Sequence, residues 1–270
     1  MAKEIVLACV NLKGGVGKTA LAVNLAAYAG QTGLKTLLID LDPQTNATFS
    51  CITAADWEKH TLSHGTVADI LGARKAYAAT GVEKTPEEVV IRDVFDNVDL
   101  IPSHLELFTI DLDMAGATAR ETKLARSMKD FKKNYDLVIC DCPPNLTIPT
   151  QNALALSSHY VIPVSPDYLS SIGVALLKTR IAGFCADISH NIELAGISLT
   201  RIGRPAVYRD EIVATLRKQF GKEVLSSETK ERVQVSETAS RQKPIFSGTD
   251  KEAINEFTNL SLEIMGRIGA

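Results

Sequence analysis

The stretch Lys13-Gly14-Gly15-Val16-Gly17-Lys18-Thr19 constrains this chain more than any other. It lies between the apolar run Ile5 to Val10 and the helix-forming run Ala20 to Ala27. The order is therefore strand, glycine-rich loop, helix. A polyphosphate site needs that order, because backbone N–H groups at a helix N-terminus must wrap the anion. Gly14, Gly15 and Gly17 let the backbone approach closely and take positive φ. Lys18 is spaced to reach β- and γ-phosphates, and the Thr19 hydroxyl to bind Mg²⁺. The strict pattern G-x-x-x-x-G-K-[ST] is not met: Leu12 holds its first glycine position, and Lys13 supplies a second lysine. An incidental glycine-rich turn would not explain why spacing, strand and helix agree.

Two later strands end in carboxylates. Thr36 to Ile39 reads as a buried strand delivering Asp40 and Asp42. Tyr135 to Asp141 reads as another, with Asp141 at its end. Carboxylates at the C-terminal ends of parallel strands face the ligand crevice. Alone, each aspartate would read as a turn or helix-cap residue. Together with the loop they read as a metal–phosphate site, with Asp40 and Asp141 beside Mg²⁺ and Asp42 near the γ-phosphate.

A chain of 270 residues, 45% apolar and 23% charged, suits a soluble globular protein. Its apolar runs are too short to span a membrane. Met1-Ala2-Lys3-Glu4 lacks a signal-peptide layout, so a cytoplasmic location is expected. Cys9, Cys51, Cys140, Cys142 and Cys185 are scattered, without a CxxC pair, and read as reduced core residues.

Val98 to Ser103, Tyr160 to Val164 and Leu194 to Thr200 are further strands, and Ile172 to Ala186 a helix. The alternation predicts one α/β domain over residues 1–270: a doubly wound, mostly parallel sheet with helices on both faces. Thr66 to Gly72 reads as a short capped helix, and Arg120 to Lys133 as an amphipathic surface helix. Residues 49–97 are the least legible, and Trp57, His60 and His64 receive no chemistry. The region from Ala73 to Glu88 reads as an insertion or interaction surface.

From Arg201 to Lys251 there are eleven Lys/Arg against seven Asp/Glu, in a chain of net charge −3. A basic third on an otherwise acidic protein is what a DNA-binding face would look like, although an ordinary solvated surface would look the same on charge alone. The last helix, Asp250 to Ile268, carries Glu252, Glu256 and Glu263, the wrong sign for anionic lipid. It is expected to pack on the sheet.

Lys13 with Gly14-Gly15 resembles the deviant Walker A box of the ParA/MinD family of ATPases. Asp40-Leu41-Asp42-Pro43-Gln44-Thr45 resembles that family's second box, Ile101-Pro102-Ser103 a later run, and Asp141-Cys142-Pro143-Pro144 its Walker B region. Departures are Ala20, usually Thr, Thr45, usually Gly, and Asn145, usually Ser. The resemblance implies a Mg²⁺-dependent ATPase whose Lys13 enters the partner subunit's nucleotide, so that ATP binding drives a homodimer. It implies catalytic roles for Lys13, Lys18 and Asp42, with Asp42 orienting the attacking water. Residues 13–20, from Lys13 to Ala20 and including Val16, would contact the nucleotide.

Lys230 to Thr238 and Arg241 to Ile245 resemble the ParA stretch that binds DNA without sequence preference, which nominates Arg232, then Arg241, Lys243 and Lys230. That branch implies a short form without a helix-turn-helix, associated with the nucleoid. A ParB-like or cargo-adaptor protein would stimulate its slow hydrolysis as it positions a plasmid, chromosome or protein assembly. A MinD-like membrane-associated ATPase, an iron–sulfur ATPase and a non-hydrolysing scaffold are the rival readings.

Overall fold

The computed structural model describes residues 4–72, 83–203 and 207–270. Most of the stretch between Ala73 and Glu88, and Arg204, therefore lie outside the described residues. Eight strands form one sheet: β1 (Ile5–Cys9), β2 (Thr36–Asp40), β3 (Ile91–Phe95), β4 (Val98–Ile101), β5 (Leu137–Asp141), β6 (His159–Val164), β7 (Glu193–Ile202) and β8 (Val224–Lys230). The order is β3-β4-β2-β5-β1-β6-β7-β8, parallel throughout except for the β3–β4 hairpin. The helices are α1 (Lys18–Gln31), α2 (Asn46–Cys51), α3 (Ala54–Ser63), α4 (Val67–Leu71), α5 (Pro86–Val89), α6 (Ile110–Asp113), α7 (Lys123–Ser127), α8 (Ile148–Leu156), α9 (Ser170–Asp187), α10 (Val207–Phe220), α11 (Val233–Ser240) and α12 (Lys251–Ile268).

Buried parallel strands are apolar on both faces, and each face needs helical cover. Val6 and Ala8 of β1, Leu37 and Ile39 of β2, and Val138 and Cys140 of β5 point into one core with α4, α7, α8 and α9. Ile5, Leu7, Cys9, Leu38, Leu137 and Ile139 point into the other, with α1, α2 and α12. Alternate side chains of one strand feed opposite cores, as a two-residue repeat requires. α12 buries Phe257, Leu260, Ile264, Met265 and Ile268, so its apolar face packs on the sheet as expected.

Three features depart from the sequence expectations. The strand expected from Val98 is preceded by one that the sequence pattern does not mark: Ile91–Phe95, an antiparallel edge, half-exposed and without a clean apolar alternation. Its turn presses on α1, where a Cβ on Gly30 would lie 2.1 Å from the Asp96 carbonyl oxygen. The amphipathic helix over 120–133 is broken into a 3-10 turn (Arg120–Thr122), α7 and a second 3-10 turn (Phe131–Asn134), although Leu124, Met128 and Phe131 are buried as that pattern requires. β8 and α10 complete the basic third, which reads as surface until the sheet orders it.

Candidate active site

All three carboxylate-bearing or glycine-bearing strand ends lie side by side. β1 sits between β5 and β6, and β5 between β1 and β2. The loop after β1 therefore faces Asp141 and Asp40, which occupy matching positions in the β2–β5 register.

The loop is shaped as an anion cradle. Gly15 and Gly17 have φ of +72° and +85°, values that strain any side chain. Gly17 is the N-cap of α1, with no side chain capping the helix and no acidic residue in its first turn. The orphan N–H groups and the positive end of the helix dipole thus remain for an anion. Asn11 braces the entrance: its Nδ2 donates to the Pro163 carbonyl at 2.6 Å, and its Oδ1 accepts from the Lys13 N–H at 3.0 Å.

Lys18 is buried and its ammonium donates to the Lys13 carbonyl at 3.0 Å. Burial pushes its pKa down while Asp141 and Asp42 oppose that shift. Lys13 is exposed and forms an ion pair with Asp167, in the loop after β6. Between these elements lies a cavity of about 340 Å³ lined by Asn11, Lys13, Val16, Val164, Asp167 and Val174, among others.

The Thr19 hydroxyl donates to Asp141 Oδ2 at 2.7 Å. Asp141 Oδ1 is buried and has no hydrogen-bond partner among the described residues. An orphaned carboxylate oxygen next to a threonine hydroxyl suits a hard, oxygen-seeking divalent cation. Asp40 differs: Oδ1 accepts from the Asp42 N–H at 3.1 Å, and Oδ2 from the Thr48 N–H and hydroxyl at 2.8 and 2.7 Å. Its acceptor capacity is directed into the protein, so Asp141 and Thr19 are the better-placed pair. Burial raises Asp40 to about 7, and pushes Asp141 well above the ordinary carboxylate range, with the Asp40 charge adding to the effect.

Asp42 is 7% exposed. Its carboxylate accepts from the Gln44 N–H at 2.9 Å, and its carbonyl accepts from the buried Ser103 hydroxyl at 2.7 Å. Ser103 also donates its N–H to the Thr48 hydroxyl at 2.9 Å, so one residue braces Asp42 directly and Asp40 through Thr48. Sequence reasoning gave Ser103, Thr48, Asn11, Thr200 and Arg201 no role. Each makes at least one bond to a residue 55 to 186 positions away, which leaves no local pattern. Thr45 takes φ of +57°, where the resembled family usually has glycine, so the loop keeps its left-handed turn at some strain.

The nominated basic residues are elsewhere. Arg232 is the N-cap and Arg241 the C-cap of α11. Arg232 is held by Asp250, Glu252 and Glu256, at 3.4, 2.7 and 2.7 Å. Lys230, Arg241 and Lys243 are exposed. Of the four, Arg232 is the one with its guanidinium already committed to protein carboxylates.

A glycine-rich loop opening α1, an aspartate on each of two adjacent parallel strands and a buried lysine define a P-loop nucleotide-binding protein. Comparison narrows the class. A family model described as an AAA domain matches residues 4–194. The sporulation initiation inhibitor protein Soj of Bacillus subtilis is 31% identical over 89% of this chain and 90% of its own length. The chromosome-partitioning ATPase Soj of Thermus thermophilus is 32% identical over 97% of this chain and 96% of its own. The chain belongs to the ParA/MinD family of P-loop ATPases, in its Soj-like branch. A plasmid partition protein from Borrelia burgdorferi bound to AMPPNP shares the fold with a TM-score of 0.78, at 23% identity, over 98% of this chain and 99% of its own.

Proposed function

We propose that residues 1–270 act as one ATPase unit that dimerises on binding ATP, holds DNA without sequence preference, and hydrolyses ATP to position a cargo. The observation that carries this reading is the juxtaposition of an uncapped, glycine-shaped α1 N-terminus with Asp40 and Asp141 at neighbouring strand ends, and Asp42 two residues beyond the first. The names of the relatives support it: two are partitioning or sporulation proteins, and the cell division protein PomZ of Myxococcus xanthus is 30% identical over 88% of this chain and 70% of its own length.

The loop N–H groups and Lys18 bind the polyphosphate. Mg²⁺, held by Thr19 and Asp141, would offset negative charge on the phosphates. Asp42 orients a water whose oxygen bonds to the γ-phosphorus as the β–γ bridging bond breaks, giving ADP and inorganic phosphate. Lys18 and Lys13 offset charge as that bond breaks. Lys13 is exposed on the face where Tyr168, Leu169 and Ile172 are 80%, 64% and 65% exposed. An apolar cluster around the mouth of the site suits burial against a second copy, into whose nucleotide Lys13 reaches. A ParB-like or adaptor partner, usually with a basic segment, then stimulates hydrolysis and releases the dimer.

Lys230, Arg241 and Lys243 supply phosphate contacts, joined by Arg232 if its carboxylates release it. The membrane-associated alternative is disfavoured because α12 already buries its apolar face in the core. Among the described residues, no helix is long and apolar enough to cross a membrane. The test is binding to non-specific duplex DNA with ADP, ATP and a non-hydrolysable ATP analogue across a salt series. ATP-dependent binding that falls with salt upholds the reading. No binding in any nucleotide state overturns its DNA arm.

A further inference from the structure

The end of β7 grips the phosphate loop from behind. The Thr200 hydroxyl donates to the Val16 carbonyl at 2.6 Å, and Arg201 Nη1 donates to the Gly15 carbonyl at 2.6 Å. The arginine side chain lies along the loop: a Cβ on Gly15 would meet its Nη1 at 3.6 Å, and one on Gly17 its Cγ at 3.7 Å. Arg201 itself takes φ of +51°, a conformation that few non-glycine residues adopt. Its Nη2 forms an ion pair with Glu231.

A trans peptide is planar, with its C=O and N–H pointing in opposite directions. Fixing the Gly15 carbonyl toward Arg201 therefore aims the Val16 N–H away from β7. Fixing the Val16 carbonyl toward Thr200 does the same for the Gly17 N–H. These are donors that a glycine-rich loop offers to phosphate.

We propose that Thr200 and Arg201 are positioning residues that hold these N–H groups ready for the polyphosphate, and that Glu231 holds Arg201 in place for the task. The inference rests on the nucleotide-binding reading and adds residues to it. It also has a consequence for the basic segment. Glu231 lies between Lys230 and Arg232, Lys230 donates its N–H to Glu256 at 2.9 Å, and Arg232 is clasped by α12. A change in the loop thus has a short, charged route from Gly15 through Arg201 to the segment that the DNA reading singles out.

The test is titration calorimetry of the whole chain with ADP and a non-hydrolysable ATP analogue, for wild type, Thr200→Val, Arg201→Ala, Arg201→Lys and Glu231→Gln. Thr200→Val keeps the side-chain shape and removes the hydroxyl. Hydrogen bonds of this kind translate into about a tenfold rise in Kd for Thr200→Val and for Arg201→Ala. Arg201→Lys, which keeps a cationic N–H donor group for the Gly15 carbonyl, recovers most of the loss. Glu231→Gln weakens binding about threefold in the wild type and has no further effect beside Arg201→Ala, because it acts through Arg201. Hydrogen exchange gives a second readout: amides of residues 15–17 exchange faster in the nucleotide-free variants, and nucleotide slows exchange at residues 230–232 only while the Arg201–Glu231 pair is intact.

Wild-type affinity in all four variants overturns the inference. So does an additive Glu231→Gln effect, for Glu231's part in it. If Thr200→Val fails to fold, Arg201→Ala and Glu231→Gln still decide. A wild-type chain that binds neither nucleotide would instead sink the nucleotide reading beneath it.

Discussion

Lys13, the lysine expected to act on a second subunit's nucleotide, is ion-paired within its own chain to Asp167. The side chains are 57% and 33% exposed, so water screens the pair. Such pairs contribute at most about 1 kcal/mol. Removing the carboxylate should therefore release Lys13 at little cost to folding. Asp167→Asn is expected to shift the monomer–dimer equilibrium with a non-hydrolysable ATP analogue toward dimer by up to about fivefold. Sedimentation would read this, and an equal or weaker dimer would show that the pair does not compete with association.

Asp42 and Lys18 should separate binding from chemistry. Asp42 is held at its carbonyl by Ser103 and at its carboxylate by Gln44, and among the described residues it makes no hydrogen bond to the phosphate loop. Asp42→Ala is expected to lower phosphate release by on the order of 10² to 10⁴ while nucleotide affinity changes little. Lys18→Ala should lose affinity itself, since the buried ammonium lies within the loop. Phosphate release by Asp42→Ala at the wild-type rate would remove Asp42 from the mechanism.

The pH dependence of stability follows from the two buried aspartates. Asp40 keeps its proton up to about 7 in the fold, whereas in the unfolded chain it loses it near about 3.9. Asp141 shifts in the same direction. Between these values the native state binds more protons than the unfolded one. The stability this confers is complete below the lower value and is lost as pH rises through the higher. The nucleotide-free Tm should therefore decline from about pH 4 to about pH 7, and Mg²⁺ with ADP should stabilise most at the upper end. A Tm that rises over that range would mean both carboxylates ionise in the fold without cost.

Arg232 and the exposed basic residues should behave differently. Arg232→Ala leaves Asp250, Glu252 and Glu256 facing each other without their cation, and Glu256 is 16% exposed. We expect a stability loss of about 1–3 kcal/mol, visible in denaturant melts before DNA enters. Arg241→Ala and Lys243→Ala should leave the melts unchanged and reduce the salt slope of DNA binding by about 1 each. If Arg232→Ala is as stable as wild type, the carboxylate clasp is not holding α11 against α12.

Much of this was legible in the chain alone. The glycine loop, Asp40, Asp42 and Asp141 follow from strand–loop–helix order, because parallel strands carry local apolar runs and their C-terminal ends share one edge. Leu124, Met128 and Phe131 are buried, as amphipathic spacing over residues 120–133 requires, yet the helix expected there is broken. Periodicity reports which residues are buried, not whether the backbone between them stays hydrogen-bonded. β3 was missed for the opposite reason: an edge strand with one exposed face and an Arg-Asp pair carries little alternation.

Sequence by itself determined the phosphate loop, the sheet's parallel character and the lysine and aspartates at its edge. Those depend on residue type and spacing within a few positions. Tertiary structure decided which of these groups can act. It left one Asp141 oxygen unpaired among the described residues, gave Asp40 a set of donors, placed Asp167 against Lys13, and closed three carboxylates on Arg232. It also brought Arg201 onto Gly15 across 186 positions of chain. Hydrogen bonds and charges act over a few ångströms in space, and only the folded sheet sets which distant residues meet at that range.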